Sequence, residues 1–512
     1  MDSLVIDGCA VATVDGTANG VISAGVASGG AISAGASSRG ASSGGAAGTG
    51  TEYASGHLVL SGGRITAVGA GPAPTVAGAR VVDGTGCLAT PGLVSIHHHL
   101  FQGLTQGRAQ DSELMSWLTA LYPVWAHLDP ELHAAAARAG LAALALSGCS
   151  ATADHHYLFP RGIASSLRGI ASSPGGGRSS PGVGGSSPGS HDLLAAGIGA
   201  AGQIGLRLHA CRGSMDLGAS AGGLPPDDVV EDRDAILAAT QEAIDRFHDP
   251  GEGAMVRVAV APCAPLTATT ALMRESAELA RRNGVRLHTH LAETADEEDF
   301  CRERFGCSPA EYLDSLGWLG GDVWVAHGVH LDGDAAARLG RAGTGVAHCP
   351  TSNSRLGAGT APLPELLAAG VPVGLGVDGG SANEHGGLAA EMRQALLAAR
   401  ARAGAGALSA RQALAVATIG GARCLGRQDE IGSLEVGKQA DVALWRLDGL
   451  GQAAIDDPVW ALVCGPPARL ELLTVAGRPV VEAGELRTAD TGAVNRDARA
   501  AARELLRRHT AR

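Results

Sequence analysis

Short apolar runs alternate with stretches of helical period from about residue 89 to about residue 430. RLHAC, VRVAVAPC, VRLHTHLAE, VWVAHGVH, GVAHCP and VPVGLGVDGG read as strands; ELHAAAARAGLAALALSG, DAILAATQEAIDRFHD, TALMRESAELARRNG and GGLAAEMRQALLAARARAG read as helices. Strand-helix units repeated for that length favour a closed parallel barrel over an open sheet. The flanks differ. Residues 1–88 hold short glycine-broken strands such as HLVLSGGRITAVGAG, and residues 431–512 hold IGSLEVGKQADVALWRL and LELLTVAGRPVVEAGEL before RDARAAARELLRRHTAR, a terminal helix. The expected fold is α/β: a (β/α)8 TIM-type barrel at 89–430, with a small β-sandwich domain composed of both termini. Two Gly/Ala/Ser tracts, 17–50 and 165–190, hold too little apolar surface to offset their ordering entropy and are expected to be disordered insertions without chemistry.

Chemistry in such a barrel sits where strands end. In PGLVSIHHHL, strand alternation puts His97 and His99 on one face and His98 on the other. A middle strand ends in His288, His290 and then Glu293, the next in His327 with His330 beyond, and a late one in Asp378. A lone histidine at a strand end is more often a core residue, and a lone Asp before Gly-Gly a turn residue. Together, at successive strand ends, they make a site: three histidines and a carboxylate hold one divalent ion with room for a water, and zinc and iron both suit such donors. Lys438, the only lysine, lies outside the barrel pattern, which excludes a lysine-bridged pair of metals.

Composition narrows the partners. A net charge of -12 argues against nucleic acid and anionic membranes and fits a small neutral substrate. No apolar run reaches membrane-spanning length. The ten cysteines form no CxxC pair, and MDSLVIDGCA has no basic leader, so a reduced, cytoplasmic setting is expected.

PGLVSIHHHL, HTHLAE, VAHGVH and GLGVDG, with GSLEVGKQAD after the barrel, resemble the amidohydrolase superfamily, and within it the aminohydrolase branch of guanine and triazine deaminases. ADHHYLFP, CRGSMDLGASAGGLPPDDVVED and SWLTALYPVWAHL are similar to the 8-oxoguanine deaminases of that branch. The resemblance implies that His97, His99, His290 and Asp378 bind one divalent ion, zinc or else iron, and that Glu293 and His327 move protons alongside Asp378. It leaves His98, His288 and His330 at non-ligand positions, and makes Asn383, in DGGSANEHGG, the counterpart of an asparagine that relatives carry nearer the aspartate. The implied reaction is attack of cation-activated water on an amine-bearing ring carbon, turning 8-oxoguanine into urate and ammonia. A homo-oligomer is also implied.

Substrate contacts are expected at Gln102, where guanine deaminases carry a purine-reading glutamine, and at Arg212 and Tyr157. Gln102 reads equally as a solvent-facing loop residue. Arg212 reads either as a fork on a ring carbonyl or as the ion-pair partner of Asp216 or another nearby acid. Trp117, Tyr122 and Trp125 either cap the ring or fill helix core. Guanine, isocytosine or an s-triazine are the alternative substrates, and a scaffold that has lost its chemistry is the non-catalytic alternative.

Overall fold

The computed structural model describes residues 3–16, 50–160 and 190–511. The two Gly/Ala/Ser tracts lie outside the described residues, apart from Gly50 and Ser190 at their edges.

Eight parallel strands close into a barrel. In chain order they are β1 (Leu93–Ser95), β2 (Cys149–His156), β3 (Arg207–Ser214), β4 (Val256–Pro262), β5 (Arg286–Leu291), β6 (Val323–His327), β7 (Gly345–His348) and β8 (Val373–Leu375). Each pairs with its sequence neighbour, and Leu375 of β8 closes the ring against Ser95 of β1. The strands are short and almost wholly buried, as expected where helices cover one face and packed side chains fill the other. Helices with well-formed starts separate them. Asp129, Asp232, Thr269 and Asp332 each accept backbone N–H bonds at a helix N-terminus, and Gly284 and Gly343 end two helices in the left-handed conformation that glycine takes without penalty.

Both ends of the chain build one further sheet of nine strands. Its centre is Cys87–Pro91, which pairs parallel with Leu4–Ala12 on one side and antiparallel with Val442–Arg446 on the other. Ile6, Val11, Leu58, Leu60, Val442, Leu444 and Leu472 form a core of its own. Cys87–Pro91 runs almost directly into β1, so the sheet is anchored to the strand that leads to His97.

The last helix, Thr491–Thr510, returns from that sheet to the mouth of the barrel. Its Ala501 and Leu505 share a core with Trp117, Tyr122 and Trp125 of the helix Leu114–Trp125, and Arg508 pairs with Asp129 at 2.6 Å. All ten cysteines are free thiols. Among the described residues no helix is long and apolar enough to cross a membrane.

Candidate active site

Three strand ends leave regular geometry at the same end of the barrel. Ala292 after β5, His327 at the end of β6 and Asp378 after β8 have φ of +51°, +73° and +61°. These are left-handed conformations that cost a residue with a Cβ about 1–3 kcal/mol each and are kept where the surroundings enforce them. The turns they make aim side chains into the barrel mouth.

The proton positions on the histidines follow from their outer partners. His99 Nδ1 donates to the His155 carbonyl at 2.7 Å, and His290 Nδ1 to the Cys263 carbonyl at 2.6 Å. Their Nε2 atoms are therefore bare lone pairs. His288 Nδ1 donates to the Trp324 carbonyl at 2.9 Å, so His288 Nε2 is an acceptor, and His97 Nδ1 donates to it at 2.8 Å. That leaves His97 Nε2 bare too, and it is a fully buried atom with no hydrogen-bond partner. His99 Nε2 and His290 Nε2 stand 3.1 Å apart, and Asp378 Oδ1 lies 3.4 Å from His99 Nε2 and 3.6 Å from His97 Nε2. Two lone pairs cannot satisfy each other. A tetrahedral ion with bonds of about 2.0 Å spaces its donors by about 3.3 Å, and this set matches that spacing. Burial, followed by mutual repulsion, drives the pKa of His97 and His290 well below the ordinary value, so they are neutral, as ligands must be. The residues present fit a divalent cation.

His98 points away, toward Gly140 of the helix Pro130–Leu146. His330 reaches the Ala358 carbonyl on the exposed side, and Lys438 pairs with Glu435 far from the mouth.

Glu293 Oε2 lies 3.6 Å from His327 Nε2, and His327 Nδ1 bonds to Asn353 Oδ1 at 2.9 Å. Burial pushes the Glu293 carboxyl up to about 7, opposed by His327. Burial works against charge on His327, but Glu293, Asp378 and Asn353 together hold its pKa above the usual value. Asp378 shows the same contest in reverse: burial raises it, and His327, His99 and the Ser352 hydroxyl pull it down further than burial lifts it.

Beside these groups opens a cavity. Gln102 and Tyr157 line it, and Gln102 Nε2 donates to Tyr157 Oη at 3.3 Å while Gln102 Oε1 is buried without a partner. A Cβ at residue 379 would stand 1.6 Å from Gln102 Oε1, so any larger residue there would displace the glutamine side chain. Trp117 and Tyr122 line the cavity with Leu118; Trp125 does not, and donates its indole N–H to Thr105 in the core behind. No lysine or arginine appears among the described residues lining it.

Arg212 is not among the described residues that line the cavity: both arms of its guanidinium are taken by Glu231, at 2.9 and 2.8 Å, the ion pair with a nearby acid that the sequence left open, and its face stacks on Phe159. Asp216, the sequence-adjacent candidate for its ion pair, accepts instead from Thr269.

Other residues at the site gave no separate signal. His155 of β2 stacks on His290 at 4.8 Å between ring centres and has a buried, unpartnered Nδ1 within the same donor group. Ser352 and Asn353, on the short helix Pro350–Arg355 after β7, bond to Asp378 and His327. Glu391 accepts from Thr351 N and Asn383 Nδ2, and Asn383 also donates to the Val377 carbonyl, which ties that helix to the loop after Asp378. His133, Asp154 and His156 gather behind β2, where Asp154 accepts the N–H of Leu100, the residue after His99.

Comparison with known proteins agrees with this architecture. The model of the amidohydrolase family matches residues 88–461. An 8-oxoguanine deaminase of Pseudomonas aeruginosa is 44% identical over 456 residues, which is 88% of this chain and 95% of that one. An isoxanthopterin deaminase of an unknown prokaryotic organism is 37% identical, over 88% of this chain and 91% of its own. Among solved structures, atrazine chlorohydrolase from Arthrobacter aurescens complexed with zinc superimposes with a TM-score of 0.82 at 30% identity, covering 98% of this chain and 100% of that one. The chain is a hydrolase of the amidohydrolase family.

Proposed function

We propose that the chain is a metal-dependent deaminase that converts free 8-oxoguanine to urate and ammonia. The observation that carries the reading is the convergence of three bare imidazole nitrogens and one carboxylate oxygen next to the Glu293–His327 pair. In this reading His97, His99, His290 and Asp378 hold one ion, and zinc is favoured because the structurally similar chlorohydrolase was solved with zinc. The bound ion supplies a Lewis acid that makes water nucleophilic near neutral pH.

The chain's own residues do the rest. Gln102 presents its unpartnered Oε1 to ring N–H groups, and Tyr157 fixes the glutamine. Trp117, Leu118 and Tyr122 cover the ring faces and exclude water. Among the described residues the lining holds no cationic side chain, which suits a neutral base and disfavours a phosphorylated nucleotide. Glu293, protonated through burial, donates to the ring nitrogen next to the attacked carbon; Asp378 and His327 take the proton that water gives up. A C–O bond forms; the proton held by Asp378 and His327 passes to the amine, Glu293, left as a carboxylate, takes the remaining proton of the added hydroxyl, and the C–N bond breaks to leave the ring carbonyl and ammonia. Glu293, His327 and Asp378 are the proton-handling residues of this reading. The similarity to the Pseudomonas aeruginosa deaminase favours 8-oxoguanine over the alternatives.

The domain boundaries proposed are a barrel at 89–430 and a composite domain of 1–88 and 431–512. A cytoplasmic homo-oligomer completes the reading, supported by the free thiols and the family resemblance. Ammonia release from a panel of 8-oxoguanine, guanine, isoxanthopterin, isocytosine and an s-triazine tests it. The highest kcat/KM is expected with 8-oxoguanine; preference for a triazine, or no release from any base, defeats the reading.

A further inference from the structure

Three carboxyls line the cavity, and the reaction above uses only two of them, Glu293 and Asp378. The third, Glu297, sits in the first turn of the helix Ala295–Phe305 and is 2% exposed. Its side chain reaches back along the chain. Oε1 accepts the N–H of Ala292 at 3.0 Å, and Oε2 accepts the N–H of Glu293 at 3.1 Å. These N–H groups follow the last residue of β5. Ala292 is the residue held at φ +51°, and its carbonyl accepts the N–H of His330 at 2.9 Å. The turn that carries Glu293 off the strand is thus pinned from two sides, and one carboxylate supplies both bonds on the Glu297 side.

We infer that Glu297 is a positioning residue that aims Glu293 at the substrate and at His327. The inference rests on the reading that Glu293 handles the proton. Only a carboxylate offers two acceptor oxygens at this spacing. In Glu297→Gln one oxygen becomes an N–H₂ group facing a backbone N–H, so one bond is lost, the turn relaxes, and Glu293 moves with it. A residue that served only to complement the helix dipole would lower the melting temperature and leave turnover alone.

The test is a double-mutant cycle on the metal-loaded, full-length protein: wild type, Glu293→Gln, Glu297→Gln and the double variant, each measured for kcat, KM, metal content and melting temperature. Glu297→Gln is expected to lower kcat by about 10²-fold, the size that a 1 Å misplacement costs, with KM and metal content unchanged. In the double variant kcat is expected to equal that of Glu293→Gln alone, because a residue that acts through Glu293 has nothing left to act on. Multiplied losses in the double variant, a normal kcat in Glu297→Gln, or a loss of metal in step with activity each overturn the inference. If the Gln variant does not fold, Glu297→Asp, which keeps the charge and shortens the reach, takes its place in the same cycle with the same outcomes. Failure of the functional reading looks different: Glu293→Gln then keeps normal turnover, or the wild type releases no ammonia.

Discussion

Ser352 donates its hydroxyl to Asp378 Oδ2 across 2.5 Å, while Asp378 Oδ1 faces His97 and His99. The two oxygens of one carboxylate therefore do different work, one toward the histidine cluster and one held by the neighbouring loop. Ser352→Ala leaves a buried, charged oxygen short of a donor, and hydrogen bonds to charged groups are worth about 1.5–3 kcal/mol. Metal content is expected to stay at the wild-type level while kcat falls roughly 10- to 100-fold, the kinetic equivalent of that energy. Turnover and elemental analysis on one preparation decide it: an unchanged kcat would reduce Ser352 to packing.

Glu293→Gln keeps the shape of the side chain and cannot exchange protons. The expected result is normal metal content, a melting temperature near wild type and a kcat lowered by at least roughly 10²-fold. The pH profile carries a second signature. A group that must donate acts only while protonated, and burial sets the Glu293 carboxyl at about 7, so wild-type turnover should decline as pH rises through that range. The decline should vanish in the Gln variant. Near-normal turnover in metal-replete Glu293→Gln would remove Glu293 from the reaction.

One ion per chain is expected from the four donors proposed at the mouth, His97, His99, His290 and Asp378. His97→Ala and His290→Ala should lose metal and activity together, because each deletes a bare nitrogen pointed at the same place. Stripping the ion with a chelator should lower the melting temperature, since whatever binds only the folded chain stabilises it. Two tightly held metals per chain in the wild type would defeat the single-ion reading.

Glu391 gives a prediction for stability. It is fully buried, and burial lifts its carboxyl from 4.5 to about 7 against the pull of Thr351 and Asn383. The folded chain then holds this proton more tightly than the unfolded chain. The stability this adds is complete below 4.5 and is lost as pH rises toward about 7. Glu391→Gln stays neutral throughout. Melting curves of the two proteins at either end of that window should show the wild type losing ground to the variant as pH rises; a constant difference would mean that Glu391 is ionised across the range. Comparing the two proteins cancels the buried histidines, whose lowered pKa values act in the opposite direction.

The barrel was legible because it is written in period, and the residues gathered at its mouth because they fall at strand ends. Alternation separates His97 and His99 from His98, and strand ends mark His290, His327 and Asp378. What escaped has no local signature. His155 is one of two adjacent histidines, and only knowledge of which face of β2 turns inward selects it. Ser352 and Asn353 are ordinary loop residues until β7 sets them against Asp378 and His327. Glu297 hides among three acids in one helix turn, where acids are common for the sake of the dipole. For Arg212 the sequence left a substrate fork and an ion pair both open, because its acid partner, Glu231, stands 19 residues away in a loop whose path no periodicity reveals.

Cys87–Pro91 waits, during synthesis, for a neighbour that is made almost last. One of its edges can pair with Leu4–Ala12 as soon as both have emerged, but the other belongs to Val442–Arg446, which follows the whole barrel. The strand leading to His97 is therefore unmoored on one side while the ribosome adds His290 and then Asp378. A chain truncated before Val442 would keep His97, His99, His290 and Asp378 yet lack the strand that pairs with Cys87–Pro91, the strand leading to the first two.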